Sequence, residues 1–322
     1  MGMNFLDGLG GIKMQRCNET AAYIIGDDIE YDSILFPREE EEGSYIKCFR
    51  YMDNYWIDAL ENNHLKLSLA HDFNDVFDCS GRPSVGQLDP QIIARHWQED
   101  PTLRFFFALH GITKLSCFDY KMWTPLYAQY ISKCIQDKTM VQQLLLLCLA
   151  APTPEDHDAD ILMWSHYTNK WNGVRLGFRL LFENHKNVTY NITTPYHMKH
   201  VTYDRKRPLL DMSKMHAFTD SSFQKYYLEL CHTKSPAWKY ENEWRLAVLH
   251  RFAEIKQDPR SGMLCFWQFH KSLLETVDIG PKVPREMRNQ TVEIIRRLYP
   301  NTLIRDAVPD DNEYKINYIE IG

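Results

Sequence analysis

The segment Lys234-Ser-Pro-Ala-Trp-Lys-Tyr-Glu-Asn-Glu-Trp-Arg-Leu-Ala-Val-Leu249 sets the architecture to expect. From Trp238 onward, apolar side chains fall at every second position (Trp238, Tyr240, Trp244, Leu246, Val248), broken only at Asn242, which predicts a strand with one packed face. The other face then carries Glu241, Glu243 and Arg245. Same-face neighbours on a strand lie roughly 6.5–7 Å apart, so two carboxylates and a guanidinium share one small patch. Two readings follow. An edge strand leaves these charges solvated, with Lys234 and Arg245 merely neutralising the glutamates. A Glu-x-Glu active-site strand turns them toward a pocket instead.

The rest of the chain narrows the classes available. Its 322 residues are 44% hydrophobic and 25% charged, enough for one large core or two domains. A net charge of −6 argues against a protein that coats nucleic acid with its whole surface, while a local basic cleft stays compatible with it. The longest uncharged apolar run, Met140 to Pro152, is far shorter than the roughly 20 residues of a membrane span. The N-terminus lacks a basic region followed by a long apolar one, so no secretory signal is expected. The eight cysteines are scattered without a C-x-x-C pair, as in reduced, buried thiols of a cytosolic protein. The thirteen histidines form no H-E-x-x-H and no zinc-finger spacing, so no transition-metal site is expected, while Asp75, Asp78, Glu241 and Glu243 are the acids a magnesium-dependent nuclease would use.

Along the chain, residues 1–44 read as an accessory segment ending in the acidic run Glu39–Glu42, and residues 45–322 as one α+β domain with a mixed or antiparallel sheet. Tyr45–Tyr51 alternates as a strand, Asp53–Asn62 has helical spacing, and Leu65–Leu69 is a second strand. Asp72–Asp78 is a polar loop in which Asn74, Asp75 and Asp78 are turn and capping residues. A helical insert occupies about 85–147, with helices near Pro90–Gln98, Pro101–Leu109 and Trp123–Leu147, before a strand at Leu144–Ala150. Asp160 suits the cap of helix Ile161–Thr168, Gly173 its left-handed end, and Val174–Phe178 a half-buried strand. Lys199–Tyr203 and Leu274–Gly280 read as strands, Ser221–Cys231 and Pro284–Leu298 as helices, and Thr302–Ile321 as a hairpin. No Walker loop, G-x-G-x-x-G or G-x-S-x-G is present.

Four stretches carry a resemblance. They are Lys47-Cys-Phe-Arg50; Leu65-Lys-Leu-Ser68 with Phe73-Asn-Asp75 and Phe77-Asp78; Leu162-Met-Trp-Ser-His-Tyr167 through Gly177-Phe178; and Lys234 with Trp238-x-Tyr-Glu-x-Glu-Trp-Arg245. Together they resemble the bacterial family called domain of unknown function 2971. The family's usual Phe-Asn-Asp-Pro-Phe has Val76 in place of Pro here, and Ala150 stands where the family often has Ser.

The family's order of elements is in turn similar to ADP-ribosyltransferases. That likeness implies NAD as co-substrate, with Arg50 on phosphate or ribose, Tyr167 stacked on nicotinamide, and Glu243 on the nicotinamide ribose. Glu241 would activate or orient the acceptor, a protein or nucleic acid. Ser68, Asn74, Trp164, His166 and Arg245 complete the implied cofactor-binding set. Each has a plainer alternative: Trp164 and Tyr167 as core aromatics, His166 as a hydrogen-bonded structural histidine, and Arg50 paired to a carboxylate. The expected function is an ADP-ribosyltransferase-like enzyme cleaving NAD at the nicotinamide–ribose bond, in a toxin or phage-defence role. A non-catalytic module binding a nucleotide or regulatory partner is the alternative, and a metal-dependent nuclease the third.

Overall fold

The computed structural model describes residues 44–84, 89–116, 120–136, 144–153, 156–182, 196–211, 221–249, 253–258 and 262–321. The expected accessory segment lies outside these, save Ser44. The described chain opens with β1 (Ser44–Met52), α1 (Trp56–Asn62), β2 (His64–Leu69) and the short β3 (Arg82–Ser84). Helices α2 (Pro90–Glu99), α3 (Pro101–Leu109) and α4 (Tyr120–Gln136) precede β4 (Leu144–Ala150), α5 (His157–Tyr167) and β5 (Val174–Phe182). Next come β6 (Tyr196–His200), β7 (Thr202–Tyr203), β8 (Leu209–Asp211), α6 (Ser221–Cys231) and β9 (Thr233–Lys234). A 3-10 turn (Pro236–Glu241) leads into β10 (Glu243–Leu249), β11 (Glu254–Asp258), β12 (Gly262–Gln268) and β13 (Leu274–Ile279). Helix α7 (Arg285–Leu298) and the hairpin β14 (Leu303–Pro309)–β15 (Ile316–Glu320) close the chain.

Among the described residues, eleven strands form one mixed sheet, the α+β architecture expected. Its path runs β11-β12-β2-β4-β1-β5-β13-β14-β15, with β10 and β6 branching from β4. Only the β13–β14 pairing in this sheet is parallel; the crossover between them is α7. The branch is the unusual feature. One edge of β4 pairs along its whole length with β10, from Leu144↔Leu249 to Ala150↔Glu243. The opposite edge is shared: β2 takes Leu145 and Leu146, and β1 takes Ala150. The sheet therefore forks at Leu147–Leu149. Arg50 fills the fork, its guanidinium donating to the Cys148 carbonyl at 2.7 Å in place of a ladder bond.

Both faces are covered. Leu145, Leu147, Leu149, Leu246 and Val248 pack into the main core beneath α1 and α7, which contribute Trp56, Leu60, Ile294 and Ile295. The other face has two separate covers. Helices α2–α4 and α6 pack on Leu146 and Ala247, whereas α5 packs with Phe49, Tyr51 and Ala150. Cys148, Glu243 and Arg245 occupy the same face between these two apolar packs. The seam between the covers is where the charges collect.

Several local expectations change. Trp238–Leu249 is not one strand: Pro236–Glu241 winds as a 3-10 turn, Asn242 is left-handed at φ 43°, and β10 starts at Glu243. Asn tolerates that conformation because its short polar side chain bonds locally, here to His200 at 2.8 Å and to the Pro152 carbonyl. Nor is β10 an edge strand, since β6 pairs its second side. The cap of α5 is Asp156, which accepts from Ala159 N at 3.0 Å, and Asp160 lies inside the helix. Positive φ after α5 falls on Asn169, Lys170 and Trp171; Gly173 is needed for close approach, since a Cβ there would meet the Met52 carbonyl at 2.1 Å. Val174–Phe178 is buried on both faces rather than one, and α1 begins at Trp56, without a side-chain cap. The helix expected from Trp123 to Leu147 ends, among described residues, at Gln136.

Candidate active site

The left-handed residue Asn242 brings Glu241 and Glu243 together by a turn rather than by strand alternation. Both carboxylates close on Lys234, which β9 supplies: Nζ lies 2.5 Å from Glu241 Oε2 and 3.1 Å from Glu243 Oε2. Arg245, two residues along β10, donates from Nε to Glu243 Oε1 at 2.8 Å and from its second nitrogen to Oε2 at 3.0 Å. The same guanidinium grips Asp78 through both carboxylate oxygens at 2.8 and 2.7 Å, and donates to the Cys231 carbonyl at 2.8 Å. Arg245 is 0% exposed, and Asp78, Glu241, Glu243 and Lys234 are all buried. A solvated charged face is thereby excluded.

Asp78, Glu241 and Glu243 face Lys234 and Arg245, so this cluster of described residues carries one surplus negative charge when all five are ionised. The two carboxylates of the Glu-x-Glu pair are not equivalent within it. Burial would raise the Glu243 carboxyl, but Arg245 and Lys234 outweigh it and hold Glu243 well below the usual carboxylate range. Burial raises Glu241 above its ordinary 4.5, and Glu243 adds to that against the opposing pull of Lys234. Burial also works against the Lys234 ammonium, yet Glu243 and Glu241 prevail and hold its pKa above the usual lysine value. Neighbouring carboxylates pushed in opposite directions are the arrangement that divides proton-holding from charge-holding roles.

Aromatic groups line the outer side of Glu241. Tyr167, the last residue of α5, donates its hydroxyl to Glu241 Oε1. The exposed ring of His166 hydrogen-bonds the Tyr240 hydroxyl through Nδ1 at 3.0 Å. Burial, with Glu241 adding to it, pushes the Tyr240 hydroxyl up to about 12. Trp238 packs against Lys234, whose Nζ is 5.0 Å from the ring centroid, and donates its indole N–H to Asp75 at 2.7 Å. Tyr203 on β7 accepts the Glu243 backbone N–H at 2.8 Å.

Of the residues chosen from sequence, Glu241, Glu243, Arg245, Tyr167 and His166 therefore converge. Arg50 approaches through the fork, bonded to Cys148, the β4 residue in register with Arg245. Three others stand apart. Trp164 is wholly buried, donating to the Tyr318 hydroxyl at 2.9 Å and stacked on Trp171. Ser68 is half-buried opposite Leu146, and Asn74 is exposed on its turn. Asp78, read as a turn residue, is instead the second anchor of Arg245.

A second buried network carries no sequence signature at all. Arg175 on β5 donates to Asp278 at 2.7 Å and to Asp160 at 3.1 Å, and its guanidinium lies 3.9 Å from the Tyr318 ring centroid. Asp160 also accepts from the hydroxyls of Tyr51 and Tyr318, both at 2.5 Å, while Arg305 donates to Asp278 at 2.6 Å. These bonds clamp α5 to the sheet and so fix where Tyr167 stands.

The stretch from the middle of α5 into β10 matches a family model described as a protein of unknown function (DUF2971), over residues 163–246. The match covers that segment, about a quarter of the chain. No curated protein and no solved structure matches it. The DUF2971 segment spans Tyr167, His166, Lys234, Glu241, Glu243 and Arg245, and leaves Asp78 and Arg50 to the chain before it. Among the described residues, the cations of this cluster are amino-acid side chains, and no group of three or more His, Cys, Asp or Glu is arranged to hold a metal. Six described cysteines are free thiols, and no described helix is long and apolar enough to cross a membrane.

Proposed function

We propose that the Glu241 cluster is the active site of an ADP-ribosyltransferase-like enzyme that cleaves NAD at the nicotinamide–ribose bond. One observation carries the reading: a buried cluster of three carboxylates and two cations presents Glu241 beside the aromatic side chains of Tyr167 and Tyr240. When the bond between nicotinamide and ribose breaks, the electron pair leaves with neutral nicotinamide, and positive charge develops on the ribose carbon. A fixed, desolvated net negative charge stabilises that state without reorganising. The incoming acceptor must then lose a proton, and a carboxylate with a raised pKa is suited to take it.

This assignment moves the reacting role from Glu243 to Glu241. Both Glu243 oxygens are committed to Arg245 and Lys234, so Glu243 acts as a positioning residue that keeps Lys234 in place. Tyr167 and Tyr240 offer the aromatic surface for a nicotinamide or adenine ring. A second reading, a nucleotide- or partner-binding module without turnover, is favoured by one fact: Glu241 is itself buried and bonded to both Tyr167 and Lys234.

The experiment is incubation of the protein with NAD in the presence of a chelator, with nicotinamide measured by chromatography. Release by the wild type, lowered about 100-fold or more in Glu241→Gln, supports the transferase reading. Nucleotide-induced thermal stabilisation without release would establish the binding module in its place.

A further inference from the structure

Two loops beside the candidate site carry exposed groups that neither the ion cluster nor the core uses. One is the turn holding Phe77, which is 60% exposed although its neighbours are anchored: Asp75 by Trp238, and Asp78 by Arg245. The other follows β7. Its first residue, Asp204, donates its backbone N–H to the Lys234 carbonyl at 3.1 Å, and then Arg205, Lys206 and Arg207 stand exposed in succession. The loops meet. Arg207 lies 5.9 Å from the Phe77 ring centroid, and the Arg82 backbone N–H donates to the Pro208 carbonyl at 3.0 Å, adding a fourth exposed cation. Among the described residues none of these four cations forms an ion pair with a carboxylate. Asp204 is the adjacent acid, and one of its carboxylate oxygens accepts the Lys206 backbone N–H at 2.9 Å.

We propose that Phe77, Arg82, Arg205, Lys206 and Arg207 form a docking surface for single-stranded nucleic acid. In a chain of net charge −6, four exposed cations on segments that meet beside one exposed ring are a local exception. Backbone phosphates are drawn to such a cluster, and an anchored aromatic provides the face on which an unpaired base stacks. An acidic protein would be attracted by the same charges but would leave Phe77 without a function. The surface is tied through Asp78 and Asp204 to residues of the Glu241 cluster, so a strand bound there passes close to it. The further statement that this strand is the acceptor of ADP-ribose rests on the proposed function; binding itself does not.

The test is fluorescence anisotropy with labelled oligo-dT and oligo-U of about 15 nucleotides, a length that spans such a site. If three phosphates are engaged, affinity should fall about twentyfold between roughly 50 and 200 mM salt. The triple variant Arg205→Glu, Lys206→Glu, Arg207→Glu should abolish binding, and Phe77→Ala should weaken it roughly tenfold at unchanged salt dependence. All four positions are exposed, and circular dichroism melts check that the variants stay folded. Affinity for a poly-glutamate peptide or for phosphatidylserine vesicles equal to that for the oligonucleotides overturns the proposal, as does a Phe77→Ala variant that binds like wild type. Binding without nicotinamide release leaves this inference standing and removes the transferase reading. Nicotinamide release without oligonucleotide binding does the reverse.

Discussion

Glutamine substitutions at Glu241 and Glu243, made one at a time, have different consequences although the residues are two apart. Glu243→Gln removes a carboxylate that takes two bonds from Arg245 and one from Lys234, and sets an amide N–H₂ against those cations. Losing charge-assisted bonds in a buried site and leaving donors facing donors costs on the order of 3 kcal/mol. Glu241→Gln removes one carboxylate charge and one bond from Lys234, and its amide oxygen stays available to the Tyr167 hydroxyl while Lys234 keeps Glu243. With one contact to a cation lost instead of three, its cost is about 1–2 kcal/mol. For a chain of 322 residues that separates the melting temperatures, with losses of roughly 4–5 °C for Glu243→Gln and about 1–3 °C for Glu241→Gln.

The pH dependence carries the sign. The folded state raises the pKa of Glu241 above 4.5, so folding binds its proton more tightly than the unfolded chain does. Its contribution is fully present below that ordinary value and is lost as pH rises through the raised one. Differential scanning fluorimetry across that range should therefore show wild type losing ground to Glu241→Gln as pH increases. A Glu241→Gln variant that melts as low as Glu243→Gln, or falls further behind wild type with rising pH, would refute the division of roles.

Further outcomes follow from the same geometry. Arg245→Met leaves Asp78, Glu241 and Glu243 with Lys234 as their counter-ion, and should destabilise by about 3–5 kcal/mol in urea unfolding. Tyr167→Phe removes a bond that holds the Glu241 pKa down, so the lower limb of the pH–rate profile for nicotinamide release should move to higher pH, with a stability change of about 1 kcal/mol. Arg175→Met leaves Asp278 with Arg305 and Asp160 with the Tyr51 and Tyr318 hydroxyls, and should cost about 3 kcal/mol, whereas Tyr318→Phe should cost about 1 kcal/mol, both read from chemical denaturation.

Sequence patterns picked out several residues that the fold brings together, and misjudged their surroundings. Alternation along Trp244–Val248 reports one packed face, but it is silent on whether the other face is also covered. A strand whose charges are paired indoors reads the same as a strand whose charges are in water. Arg175 was hidden in that way, alternating with Val174 and Leu176 as if it pointed to solvent, because Asp278 and Asp160 lie 103 and 15 residues away in the chain. Asp78 fits turn chemistry locally, and its partner Arg245 is 167 residues distant. The helix Ser221–Cys231 was legible to the residue from its apolar period, whereas the uniformly apolar Leu144–Ala150 read as a strand but also as the end of a helix running to Leu147. The fork at β4 had no local signal, as it is a property of three strands at once.

Carbon-13 labelling of the glutamate side-chain carboxyls, with Glu241 assigned by its absence from the Glu241→Gln spectrum, measures the central claim directly. The account predicts that the Glu241 resonance titrates above the ordinary 4.5 and that Glu243 stays ionised throughout the same acid range. Two carboxyls titrating together near the ordinary value would contradict it.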